Sequence, residues 1–292
     1  GTGQVITSCA PSATAGNPVL TAQCGVYQPQ LTRPSISDWN FSYDLNVNYK
    51  LARDILAYAT YAKSFKTVGI NQNGLPLNAD NTPNLDASTV KPESVNHFEI
   101  GLKTSFWNRR ATFNLTAFHT QIRNFQATVN GGQFGTVRGY LANAQKVRVR
   151  GVEADFSVRP SAHFSLYANA AYTDHEYVRF TDAPCPPELS GGTTVAAGQS
   201  PSAPGTAGGL SPANCDISGQ WLPGISKWAF SYGAEYKLPA KLLGHEGEAY
   251  FGWDGNYRSR FSSNASRSAY TDIAGYSINN LRIGFRTEAG WE

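Results

Sequence analysis

The 292-residue sequence predicts an all-β fold, an antiparallel transmembrane β-barrel portion of about nine strands. Three observations carry that reading. Residues 39–51 alternate without interruption: Trp39, Phe41, Tyr43, Leu45, Val47, Tyr49 and Leu51 are apolar or aromatic, and Asn40, Ser42, Asp44, Asn46, Asn48 and Lys50 between them are polar. A period of two sends the two sets to opposite faces of a strand, and the run exceeds the 9–11 residues a tilted strand needs to cross a bilayer. The links between such runs alternate short and long, the layout of tight turns at one rim and large loops at the other. Charged residues are 15% of the chain against about 25% in ordinary soluble domains.

The strands follow in order. After 39–51 come 55–66 and 97–106, the latter with Phe98, Ile100, Leu102 and Phe106 opposite His97, Glu99, Gly101, Lys103 and Ser105. Next are 111–123, 141–158 and 163–175. In 141–158 the alternation changes phase: Val147 and Val149 share one parity, Val152, Ala154, Phe156 and Val158 the other, and Gly151 at the change predicts a β-bulge. The set closes with 227–238, 248–258 and 275–287. No segment reads as a helix. Short links fall at 51–54, 107–110, 159–162 and 239–246; long ones fall at 67–92, 124–140, 176–222 and 262–274. A β-sandwich or a soluble up-and-down barrel is the competing architecture, but neither requires that asymmetry.

No run of about 18 apolar residues occurs, so no helical span is predicted. The net charge of +3 is small and scattered, which argues against a nucleic-acid partner. Catalysis finds no support. His97, His119, His163, His175 and His245 lack zinc-site spacing, no G-x-S-x-G turn is present, and Glu153 with Asp155 reads as polar wall rather than a carboxylate pair. No cofactor or metal is expected.

Four cysteines lie outside the predicted strands and pair locally as Cys9–Cys24 and Cys185–Cys215, each closing one loop. Such pairs imply an oxidising compartment. A zinc site is disfavoured because no C-x₂₋₄-C spacing exists and no histidine is near. Between the second pair, residues 190–213 are rich in Gly, Ser, Pro, Thr and Ala and read as an external loop tip. The expected organisation is an extracellular loop segment at 1–36, a barrel portion at 37–287 containing a long disulfide-anchored loop at 176–222, and a truncated periplasmic turn at 288–292. An odd strand number, an opening without Met or a signal peptide, and an ending at a turn predict a fragment of a larger barrel.

Three segments then suggest a family. YATYAKSFK at 58–66 resembles the "YASYSKGFK" strand of TonB-dependent outer-membrane receptors, with Ser64 where a glycine is frequent. PESVNHFEIGLK at 92–103 and NAQKVRVRGVE at 143–153 resemble two further strands of those receptors, in the expected order. The resemblance implies a 22-stranded barrel in the bacterial outer membrane, plugged by an upstream domain that TonB pulls to admit a scarce nutrient, most commonly a ferric siderophore or similar iron complex. It also implies contact with outer-membrane lipid and lipopolysaccharide. Neither plug domain nor TonB box lies in this stretch. Lumen-lining candidates are Asn46, Asn48, Lys103, Glu153, Glu235, Asp254 and Arg258, each of which also reads as plain barrel wall. A passive porin and a surface adhesin or secretion barrel remain the rival functions.

Overall fold

The computed structural model describes residues 33–71, 75, 84–131, 138–183, 185–186 and 215–287. Nine strands form one antiparallel sheet in sequence order. They are β1 (Tyr43–Ala52), β2 (Ile55–Lys66), β3 (Glu93–Phe106), β4 (Ala111–Gly131), β5 (Arg138–Val158), β6 (Phe164–Arg179), β7 (Trp228–Leu242), β8 (His245–Arg258) and β9 (Tyr276–Thr287). The sheet is open, with β1 and β9 each paired on one side. One four-residue 3₁₀ turn, Leu85–Ser88, is the helical element among the described residues.

One face carries the apolar set. Leu45, Val47, Tyr49, Phe98, Ile100, Leu115, Phe251, Trp253, Leu281 and Ile283 are all exposed on it, with Val47 67% exposed. Such a face is stable only against hydrocarbon or another apolar surface. Aromatic rings band this face towards the long-loop side. Tyr43, Tyr61 and Phe98 form one contact chain, and Tyr172, Trp228, Phe230 and Tyr257 form another. Rings at that level suit an interfacial girdle.

The short turns are tight. Leu243 and Gly244 join β7 to β8 with φ of 52° and 87°, the type I′ pair that matches strand twist. The link expected at 239–246 is therefore mostly strand. Pro239 is tolerated inside β7 because the amide of Lys237 makes the last rung towards β6, to the His163 carbonyl. The nitrogen of residue 239 points to the same side, beyond that ladder.

Two further expectations are corrected. β1 begins at Tyr43, so Trp39 and Phe41 precede the strand. The bulge predicted at Gly151 is not there: the β4–β5 register runs unbroken from Arg123↔Lys146 to Ala111↔Val158. A slip occurs instead between Lys146 and Val147 in the pairing with β6. The change of phase reflects a change of surroundings. Val152 faces outward and is 43% exposed, whereas Val147 faces inward and is fully buried under the long loops. The inner face turns from polar to apolar above the membrane level, and the alternation inverts with it.

The segment at 124–140, expected as a loop, is mostly strand as well. β4 and β5 each run 21 residues, roughly 70 Å at about 3.3 Å per residue, twice what a span requires. Their far half supports a loop core of Ala127, Ala144, Val147, Tyr177, Phe180, Ala183, Ile217, Leu222 and Ala265.

Candidate functional site

All seven lumen-lining candidates fall on one face of the sheet, opposite the apolar one, as the cross-strand registers place them. Asn46 donates to the Thr60 hydroxyl at 2.7 Å, and Asn48 donates to Asn46. The Lys103 ammonium stands 5.3 Å from the centre of the Tyr58 ring. Glu235 pairs with Lys237 at 3.2 Å. Asp254 pairs with Arg282 at 2.9 Å and accepts from Asn280 at 3.0 Å. Arg258 donates to the Gly224 carbonyl at 2.6 Å, and its guanidinium lies over the Phe261 ring. Glu153 occupies the same row, opposite Thr116.

The best-connected group on this face escaped the sequence reading. Tyr58 donates to Glu99 Oε1 at 2.7 Å and meets the Thr116 hydroxyl at 2.9 Å. His97 Nε2 lies 3.4 Å from Glu99 Oε2, and its Nδ1 is 2.8 Å from the Thr120 hydroxyl. Tyr58 reaches across β3 because its cross-strand partner is Gly101. A Cβ there would lie 2.2–2.5 Å from the ring. Phe118 opposite Gly151, Tyr167 opposite Gly233 and Tyr250 opposite Gly284 repeat the device on the same face. These signals are cross-strand, so no spacing along the chain reveals them.

Above the wall, the long loops fold onto the β4–β5 hairpin. Asn71 donates to the carbonyls of Ala87 and Leu141 at 2.8 and 2.9 Å and accepts from the Leu141 amide at 2.9 Å. Gln126 donates to the carbonyls of Thr67 and Lys91 at 2.7 and 3.1 Å, and its amide donates to Glu93 at 2.7 Å. Asn143 exchanges hydrogen bonds with Lys91 at 2.8 and 3.0 Å. Amide side chains thus satisfy backbone groups at both ends of the 67–92 segment. Cys185 and Cys215 form the expected disulfide, next to an isolated Ala183↔Cys215 bridge. The Cys9–Cys24 pair lies outside the described residues.

The loop after β8 has its own knot. Phe261–Ser262 pairs with Asp272–Ile273, and Asp272 is bound by Arg260 and, at 3.3 Å, by Arg267. The hydrogen bond from Arg267, joined by Arg260 and by both positive charges, holds the Asp272 carboxyl below its ordinary value against the opposing effect of desolvation. Arg267 and Lys227 flank the Trp221 ring at 4.9 and 4.6 Å, tying this loop to the one before β7. No metal-ligating cluster of three or more His, Cys, Asp or Glu occurs among the described residues.

The comparisons agree on one architecture. The FyuA ferric yersiniabactin uptake receptor of Yersinia pestis superposes with a TM-score of 0.58 at 16% identity, over 84% of this chain and 30% of that one. The ferric-catecholate import receptor Fiu of E. coli K12 gives 0.54 at 18% identity, over 89% and 30%. The copper transporter OprC gives 0.52 at 12% identity, over 82% and 30%. At these identities the likeness shows the fold, and the chain spans about 30% of each neighbour's length. The family model for the TonB-dependent receptor-like β-barrel matches residues 13–292. With its apolar outer face, polar inner face and one-sided long loops, the chain belongs to the TonB-dependent receptor family, in the β-barrel of a bacterial outer-membrane protein.

Proposed function

We propose that this chain forms part of the barrel of a receptor that takes up a ferric siderophore or similar iron complex across the outer membrane, powered through TonB. The observation that carries the reading is the pairing of a hydrogen-bonded polar wall with a pinned loop cap above it. The wall runs from Asn46 through Tyr58, Glu99 and Glu153 to Asp254. A disulfide and three amide clamps fix the loop core above that wall. A receptor needs such a surface, because a scarce ligand is captured by groups already held in position. The names of FyuA and Fiu, both receptors for ferric complexes, support iron as the cargo.

The test is growth of a deletion strain on ferric siderophores, haem, copper and sugars, each with and without TonB. Loss of growth on one ferric siderophore, reproduced by removing TonB, is the expected result. Uptake that continues at full rate without TonB would establish a porin. Loss confined to haem, copper or a sugar would refute iron–siderophore cargo while leaving the receptor reading intact.

A further inference from the structure

The pairing of β6 with β7 stops at Tyr172↔Trp228, with one further rung from the Thr173 amide to the Lys227 carbonyl at 2.9 Å. Higher up, residues 217–220 return to the same edge of β6. The Tyr177 amide donates to the Gln220 carbonyl at 2.9 Å, and the Gly219 amide donates to the Tyr177 carbonyl at 2.7 Å. Between these stretches the chain leaves the ladder, and His175 bridges the gap. Its Nδ1 accepts from the Leu222 amide at 3.0 Å, standing where a backbone carbonyl would. His175 faces inward, opposite Val149, and is 1% exposed. It lies three residues beyond Tyr172, above the aromatic band. Leu222 belongs to the crown nucleus with Tyr177, Phe180 and Ile217.

Because an amide donates to Nδ1, that nitrogen is unprotonated and the neutral ring carries its hydrogen on Nε2. Nε2 is buried and makes no hydrogen bond of ordinary geometry among the described residues. A proton added at Nδ1 would turn the acceptor into a second donor facing an amide N–H. The Leu222 bond and the imidazolium therefore exclude each other, and burying the cation adds a further penalty. His97 has no such conflict. Its Nδ1 meets the Thr120 hydroxyl, which either donates or accepts, and Glu99 stands 3.4 Å from its Nε2.

The charges around His175 also favour the neutral ring. Lys227 approaches from the segment before β7 and Arg148 and Arg150 from the outer side of β5, while Arg258 and Arg267 hold Gly224 and Gln220. Its neighbours Asp174 and Glu176 turn to the outer side. There Asp174 is shared among Arg148, Arg150 and Lys227, and Glu176 pairs with Arg148 at 2.8 Å. Desolvation, then Lys227, lowers His175 from its ordinary value of 6.5, against Asp174 and the nearby Ile225 carbonyl. Burial pushes the Tyr177 hydroxyl up to about 12, so it stays neutral. A histidine lowered in the closed crown stabilises it fully above 6.5. That stability falls as pH drops through 6.5 towards the lowered value, because the open chain takes up the proton first.

We propose that His175 is an acid-sensitive latch: neutral, it holds residues 217–226 against β6, and protonated in mild external acid, it releases the crown from the wall. The device is independent of the nutrient the receptor carries. Hydrogen–deuterium exchange of the full-length receptor in detergent, read by mass spectrometry and corrected for intrinsic rates, tests it. The comparison is between about pH 7.5 and about pH 5, where histidines titrate and ordinary carboxylates remain charged. Protection factors over residues 217–226 should fall about tenfold at the lower pH, with about 30-fold the ceiling for one group of open-state pKa about 6.5. Peptides of β3 and β4 should keep theirs. In His175→Gln, whose amide oxygen accepts from Leu222 without titrating, the fall should vanish. His163→Gln, exposed in the turn before β6, should retain it. Should His175→Gln leave the crown open at both pH values, deuterium exchange at the histidine C2 positions of the wild type should show His175 titrating below its ordinary value. Equal protection at both pH values, a fall retained by His175→Gln, a fall shared by the sheet, or a His175 that titrates at or above its ordinary value overturns the proposal.

Discussion

Replacing Gly101 with alanine probes how the inner wall is held. The new Cβ would lie 2.2, 2.4 and 2.5 Å from Cε1, Cζ and the hydroxyl of Tyr58. The strand backbone cannot retreat, because β3 is laddered to β2 and β4 on both sides. The ring therefore has to swing away. It then loses the hydrogen bonds to Glu99 at 2.7 Å and Thr116 at 2.9 Å, and the Lys103 contact at 5.3 Å. The charge-assisted bond contributes about 1.5 kcal/mol at this half-buried position, the hydroxyl pair about 0.5–1, and the cation–π contact about 0.5. The sum, about 2.5–3 kcal/mol, is the expected loss of barrel stability. Urea unfolding of the full-length receptor in detergent, followed by tryptophan fluorescence, measures it. The cycle with Tyr58→Ala isolates the cause. In that background Gly101→Ala should cost less than about 0.5 kcal/mol, because nothing remains to be displaced. An equal cost in both backgrounds would refute the reasoning and assign the loss to strand backbone.

Further outcomes follow from the same geometry. Val47→Arg puts a charge on the hydrocarbon-facing side and should destabilise the folded barrel by about 2–4 kcal/mol near the bilayer midplane. Asn46→Arg, one residue away on the inner face, should change it by less than 1 kcal/mol in the same urea titration. Cys185→Ser removes a link across 30 residues; the chain-entropy relation gives about 3.6 kcal/mol for such a loop. Whole cells carrying it should show faster protease cleavage between positions 185 and 215, with the barrel fragment intact. The Asp272 knot should weaken in acid. Its carboxyl titrates lower in the folded loop than in the unfolded chain, so its stabilisation is full above the usual value of about 3.9 and is lost as pH falls through the lowered folded value. Amide-exchange protection factors at residues 261–273 should fall below about pH 4, and Asp272→Asn should abolish that dependence.

The nine strands were legible because each crosses between two unlike media, which imposes the strict alternation seen in 39–51. The same logic put Asn46, Lys103, Glu153, Glu235 and Asp254 on one face without any contact being known. It failed where the medium changes along a strand. Val147 and Val149 lie under the loops, and their apolar inward positions imitate a bulge at Gly151. The cap was illegible for another reason. Asn71 bonds to Leu141, 70 residues away, and Gln126 to Thr67, 59 away; such clamps have no period and no motif. The short link expected at 239–246 begins at Pro239, whose tolerance inside a strand depends on where a neighbouring ladder stops, which is a property of β6.

The hydrophobic nest around Tyr177 and Phe180 rests on the upper hairpin rather than on bilayer support. Its small nucleus and the Cys185–Cys215 link predict that the crown opens on its own, while the stave ladder beneath it remains hydrogen-bonded from strand to strand. Heating should therefore unfold the crown first and leave a folded wall behind, so that loss of the loop surface and barrel denaturation occur at separate temperatures.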